Sequence, residues 1–99
     1  MQRHQYKITA EVWLYSGKGA WYFITIPKDI SQEIKFFASD VSSAFGSVRV
    51  NVKIGNTTWK TSLFPDNKYD AYLLPIKAEV RKKEKISEGN KVTILLEIV

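Results

Sequence analysis

The chain has 99 residues, of which 44% are hydrophobic, and this size predicts one domain spanning residues 1–99. It contains no cysteine, which excludes disulfides, thiolate nucleophiles and the usual cysteine-based zinc sites. Its net charge of +5, from 15 basic and 10 acidic residues, favours encounters with anions but does not specify a fold.

The amino terminus is polar, and we expect residues 1–4 to form a mobile tail. Residues 1–7 are not followed by the apolar segment of a signal peptide, and no apolar run approaches the roughly 20 residues that cross a bilayer. These features favour a cytoplasmic protein with no membrane partner.

The first predicted elements are two strands joined by a turn. Apolar and polar residues alternate over residues 5–15, and residues 20–26 form a second strand that Pro27 ends. Gly17 and Gly19 between them are typical of a tight turn, so we expect a β-hairpin. The same glycines suggest a phosphate-binding loop, but the spacing and the following helix of such a loop are absent.

One clear helix follows. Asp29 is the predicted N-cap, and Gln32 completes a capping box. The predicted core face has helical spacing and consists of Ile30, Ile34, Phe37 and Val41. Because a single helix among strands has few other places to bury this face, we expect it to plug one end of the sheet.

The second half returns to strand patterns. Its predicted elements are strands 48–54, 57–63, 71–74 and 91–99, a turn at Gly55 and Asn56, a loop over 64–70 and a short helix over 76–84. Six strands and two helices predict an all-β fold in which the sheet closes into a barrel, since closure removes exposed edges.

Three segments in a fixed order carry a family resemblance: AWYFITIP, GSVRVNVKIGNTTWKTSLFPDN and YLLPIKAEVRKKEKISEGNKVTILLEI. In this order the chain resembles a family of small β-barrels catalogued as a domain of unknown function. Some members are fused to, or encoded beside, bacteriocin-protection domains of the OmpD-associated type. The resemblance implies a closed cytoplasmic barrel of six or seven strands and complex topology, with no established activity, cofactor or substrate. Asn90 departs from the family pattern, in which Asp is common.

The sequence predicts no catalytic residue, no metal site and no cofactor. His4 is the only histidine and lies in the predicted tail, so a histidine base or triad has no evident candidate. Ser62 has no base near it in sequence.

A ligand site is predicted at the second helix. Lys77 and Arg81 are four residues apart, which places them on one helix face, and the helix start after Pro75 offers backbone amides to an anion. Thr61 and Ser62 are expected to add hydroxyl groups. All four residues match the family pattern. The alternative is that Arg81 supports the barrel wall by bonding to backbone carbonyls.

These features favour a non-enzymatic module that binds a small anionic or polar ligand or a protein partner. Single-stranded nucleic acid is the alternative, with phosphates on basic side chains and bases on tryptophans. The candidates for those contacts are residues 81–85, Arg49, Lys53, Lys60, Trp13, Trp21 and Trp59. Nucleic acid ranks second because the 13 aromatic residues of so small a domain are expected mostly in the core.

Overall fold

A computed structural model describes residues 4–17, 19–38, 46–66, 68 and 70–99. The strands are β1 (Gln5–Glu11), β2 (Trp13–Tyr15), β3 (Trp21–Thr25), β4 (Val48–Ile54), β5 (Thr57–Asp66), β6 (Ala71–Pro75) and β7 (Lys91–Ile98). The helices are α1 (Lys28–Ala38) and α2 (Ala78–Glu84). The predicted all-β class with two helices is therefore confirmed. Neither described helix is long and apolar enough to cross a membrane.

The seven strands form one antiparallel sheet in the order β1-β7-β4-β5-β6-β3-β2, curved into an open half-barrel. The prediction of a closed barrel is wrong, since no ladder joins the edge strands β1 and β2 within the described residues. Between β1 and β2, the chain changes its strand partner at Val12. Its N–H donates to the Asn90 carbonyl and its carbonyl accepts from the Gly89 N–H. The predicted strand over residues 5–15 is therefore two strands, which pair with β7 and β3.

Both predicted hairpins form, although one strand is longer than expected. β2 pairs with β3, and β4 pairs with β5 around the Gly55 turn. The loop predicted over residues 64–70 is wrong in its first part, because residues 64–66 continue β5 and pair with β6. Pro65 is tolerated there because β4 pairs with β5 only as far as Leu63.

The concave side of the sheet holds an aliphatic core. On β4, every second residue is buried, and the pattern includes Val50 and Val52. Among the described aromatic residues, only Trp59 and Tyr72 are buried. The expectation that aromatic side chains would mostly fill the core is wrong, because isoleucine, valine and leucine supply most of the buried residues.

Helix α1 packs against β6 with a face rotated from the predicted one. Its buried residues are Ser31, Ile34 and Ala38, whereas Phe37 is 41% exposed and stacks on the His4 ring at 3.9 Å. Asp29 lies in the first turn and is not the N-cap, since α1 already begins at Lys28. Val41, the fourth residue of the predicted core face, lies outside the described residues, as do residues 1–3 of the predicted tail.

Candidate functional site

A cleft opens where β5 and β6 separate. Their ladder runs from Asp66 opposite Ala71 to Phe64 opposite Leu73 and then ends. Beyond that point, residues 59–61 of β5 and residues 75–78 at the end of β6 line the two sides of a cavity of about 340 Å³. This volume is within the range of small-molecule sites, about 300–1,000 Å³.

The charged side chains that line this cleft are all basic. They are Lys60, Lys77 and Arg81, and no described carboxylate lines the cavity. Within the described part of the chain, Lys60 and Lys77 form no ion pair. We call the cavity formed around these three cations and Thr61 the basic cleft. Its charge complements a carboxylate or a phosphate.

Three of the four predicted site residues line the basic cleft, and the fourth does not. Thr61, Lys77 and Arg81 contribute to its wall. Ser62 does not line it, although Lys60, on the same face of β5, does. Ser62 instead lies opposite Arg49 on β4. His4, the only histidine, stacks on Phe37 and is not part of the cleft.

Arg81 makes the structural contacts that the sequence suggested as its alternative role. Its Nε–H donates to the Ile76 carbonyl at 3.1 Å, and its guanidinium carbon lies 3.8 Å from the centre of the Tyr22 ring. The Ile76 N–H donates in turn to the Tyr22 carbonyl at 2.9 Å. Arg81 thus connects α2, β6 and β3, and these contacts hold the guanidinium in one orientation at the cleft wall.

The start of α2 contributes little positive potential by itself. The helix has only seven residues, about two turns, and Lys77 at its N-cap makes no side-chain capping bond. Of its acidic residues, Glu79 pairs with Lys83 at 3.2 Å and also interacts electrostatically with Lys77, and Glu84 accepts a hydrogen bond from Thr57. The basic side chains are therefore the main source of charge at the cleft.

A second surface lies on the convex side of β2, β3, β5 and β6. Its aromatic side chains are Trp13, Tyr15, Trp21, Phe23 and Phe64, and they line a groove of about 670 Å³ together with Leu73. We call these five residues the aromatic face. Tyr15, Trp21 and Phe64 are each about half exposed, at 49%, 53% and 45%. An exposed apolar patch of this kind is typical of a binding surface.

The two surfaces share one residue. Trp21 lines both the basic cleft and the groove over the aromatic face. Its ring is nearly parallel to that of Phe23, with 6.1 Å between centroids and 9° between planes. Any ligand that lies across Trp21 can therefore contact cations on one side and aromatic rings on the other.

The turn between β2 and β3 packs against this aromatic face. A β-carbon at Gly17 would overlap the Tyr15 ring, and one at Gly19 would lie 2.9 Å from the Trp21 Nε1. Gly19 also has a φ angle of +96°, which side chains disfavour. The glycines thus allow the turn backbone to support two of the exposed rings.

Replacing Gly19 by alanine should therefore both destabilise the turn and move Trp21. We expect a loss of about 1 kcal/mol in the free energy of unfolding, from strain at a positive φ angle. The indole N–H resonance of Trp21 should shift in an NMR spectrum. Ser16→Ala, in the same turn, is the control and should leave both unchanged. An unchanged Trp21 resonance in Gly19→Ala would contradict the proposed support.

Comparison with protein-family models identifies the family of this chain. The model of a domain of unknown function, DUF1905, matches residues 9–96. The chain belongs to the DUF1905 family. This match includes all residues of the basic cleft and the aromatic face. No curated protein matches the chain.

For this DUF1905 domain, the sequence pattern already contained the signal for the aromatic face. Trp13 and Tyr15 alternate with core-facing residues, as do Trp21 and Phe23, so each pair must share the outer face of its strand. The sequence did not give the order of the strands in the sheet. Only the tertiary structure shows that Phe64 on β5 joins the same surface across β6.

Proposed function

We propose that this DUF1905 domain is a non-enzymatic binding module whose basic cleft takes a small anionic ligand. The observation that carries the proposal is the presence of Lys60, Lys77 and Arg81 around one cavity with no described carboxylate among them. Like charges brought together cost free energy, which Glu79 offsets in part at Lys77, and a bound anion would relieve the remaining cost.

Arg81 and Thr61 supply the directional part of the proposed site. The Nε bond to Ile76 fixes the guanidinium plane, so its remaining N–H groups can form paired hydrogen bonds to a carboxylate or phosphate with little further ordering. Thr61 is half-buried and its hydroxyl has no hydrogen bond within the described residues. It can donate to the same anion.

Isothermal titration calorimetry with pyrophosphate and citrate tests this proposal. We expect Lys77→Gln and Lys60→Gln each to weaken anion binding about fivefold, since each removes one partly exposed charge worth about 1 kcal/mol. Lys82→Gln is the matched control, because Lys82 is exposed on α2 but does not line the cleft. Equal losses for Lys77→Gln and Lys82→Gln would mean that only net charge matters and would refute the site.

Two finer proposals come from the sequence patterns and the family resemblance. They are a cytoplasmic location and association with a bacteriocin-protection domain. A fluorescent fusion tests the location, and co-purification with such a domain tests the association. A fusion outside the cytoplasm, or a partner domain that elutes separately at micromolar concentrations, would contradict them.

A further inference from the structure

We propose that the anionic ligand of the basic cleft is single-stranded nucleic acid, with its phosphates in the cleft and its bases stacked on the aromatic face. This inference rests on the anion site of the proposed function, and it replaces the small ligand proposed there with a polymeric anion whose phosphates occupy the same cleft. It also reverses the ranking drawn from the sequence, which placed nucleic acid second. That ranking assumed that the aromatic residues were needed in the core.

The first support is the continuity of the two surfaces. Proteins that bind single strands combine a basic groove that follows the backbone with aromatic side chains that stack on successive bases. Trp21 lies at the junction of such a pair of surfaces, because it lines both the basic cleft and the aromatic groove. A strand with a phosphate near Lys77 could therefore place its next base on the Trp21 ring.

The second support is that the rings are held in place before a ligand binds. Trp13 donates its indole N–H to the Thr25 hydroxyl at 2.9 Å, and its ring lies 5.2 Å from that of Phe23. Phe23 in turn stacks with Trp21. Fixed rings lose little conformational entropy on binding, which favours their use as a stacking surface.

Charge complementarity favours nucleic acid over a protein partner. The aromatic groove has one lining carboxylate, Asp66, and that carboxylate already accepts a hydrogen bond from the Lys68 backbone. An apolar protein segment would cover the rings but would add no negative charge to the cleft beside Lys60 and Lys77. A single strand covers the rings and neutralises the cations together, and the net charge of +5 further favours a polyanion.

Fluorescence anisotropy with labelled oligo(dT) and oligo(U) of about ten nucleotides tests the inference on the full chain. We expect a dissociation constant in the micromolar range at low salt. With three phosphate contacts, the logarithm of the association constant should fall with the logarithm of the salt concentration at a slope of about −2. This slope corresponds to roughly a twentyfold loss of affinity between about 50 and 200 mM salt. Comparable binding of both oligomers is expected, because stacking on aromatic rings tolerates either sugar and many bases.

Three variants separate the two surfaces. Phe64→Ala changes only the aromatic face and should weaken oligonucleotide binding about tenfold, since loss of one stacked base costs roughly 1–3 kcal/mol. Trp21→Ala should weaken oligonucleotide binding at least as much. Lys77→Gln should weaken both oligonucleotide and pyrophosphate. Phe36→Ala, which removes a ring that is 75% exposed on α1, is the aromatic control and should change neither.

The outcomes distinguish this inference from the proposed function. If pyrophosphate binding depends on Lys77 but Phe64→Ala and Trp21→Ala leave oligonucleotide binding unchanged, the inference is wrong and the anion site stands. If oligonucleotides bind through the aromatic face with no effect of Lys60→Gln or Lys77→Gln, the anion site is wrong, and so is the placement of the phosphates in the cleft. If heparin competes as well as oligo(dT) at equal charge, binding depends on charge alone and the inference is overturned.

Discussion

Replacement of Ser31 by alanine should lower the melting temperature by about 10 °C. Ser31 is 2% exposed, and its hydroxyl lies between two strands. It donates to the Ile26 carbonyl at 3.0 Å and accepts from the Tyr72 N–H at 3.1 Å, while the Ile26 N–H donates directly to the Tyr72 carbonyl. The hydroxyl thus bridges the Ile26 carbonyl and the Tyr72 N–H, just beyond the end of the β3–β6 ladder.

Alanine at this position would leave both backbone groups without that partner in the core. Loss of the two bonds and the unsatisfied groups cost roughly 2 kcal/mol, and each kcal/mol shifts the melting temperature of a domain this size by about 4–8 °C. Gln32→Ala, at the next and exposed position of α1, is the control and should change the melting temperature little. A Ser31→Ala protein as stable as the wild type would show that the Ile26 carbonyl and the Tyr72 N–H do not need the hydroxyl.

Replacement of Arg81 by alanine should have a comparable effect on the protein without any ligand. The variant loses the half-buried hydrogen bond to the Ile76 carbonyl and the contact with the Tyr22 ring. A hydrogen bond from a charged donor is worth about 1.5–3 kcal/mol and an exposed cation–π contact about 0.5–1 kcal/mol. Because the site is partly solvated, we expect about 2 kcal/mol in total, measured by urea unfolding.

Arg81→Lys and Tyr22→Leu separate the two contacts. Lysine keeps the charge but cannot reproduce the Nε bond together with a planar stack, so Arg81→Lys should lose part of the stability as well as anion affinity. In a double-mutant cycle, Arg81→Ala and Tyr22→Leu should couple by roughly 0.5–1 kcal/mol. A coupling of zero would mean that the ring contact contributes nothing to stability.

The two roles that the sequence offered for Arg81 as alternatives are compatible in the structure. The Nε–H is committed to Ile76, while the side chain still lines the basic cleft. One group can therefore support α2 and present its other N–H groups to an anion. The stability of the unliganded protein and the affinity for pyrophosphate should then fall together in Arg81 variants, whereas only affinity should fall in Lys77→Gln.

Local patterns in the sequence were sufficient for most of the secondary structure. Strand patterns located most of the sheet, but not the division of residues 5–15 into two strands or the extension of β5 over residues 64–66. The turn residues Gly55 and Asn56 located a hairpin, because side-chain direction and turn chemistry depend on neighbouring residues alone. The i, i+4 spacing likewise placed Lys77 and Arg81 at one cleft. Ser62, which the sequence grouped with Thr61, does not line the cleft.

The sequence by itself thus determined an all-β domain with two helices and a cluster of cations near α2. Only the tertiary structure decided three further points: the change of strand partner at Val12, the bridging hydroxyl of Ser31, and the shared position of Trp21 between the cleft and the aromatic face. Each depends on partners that are distant along the chain. Alternation fixes which face of a strand a residue occupies, but the order of the strands decides which faces meet, and that order is set by packing of the whole core.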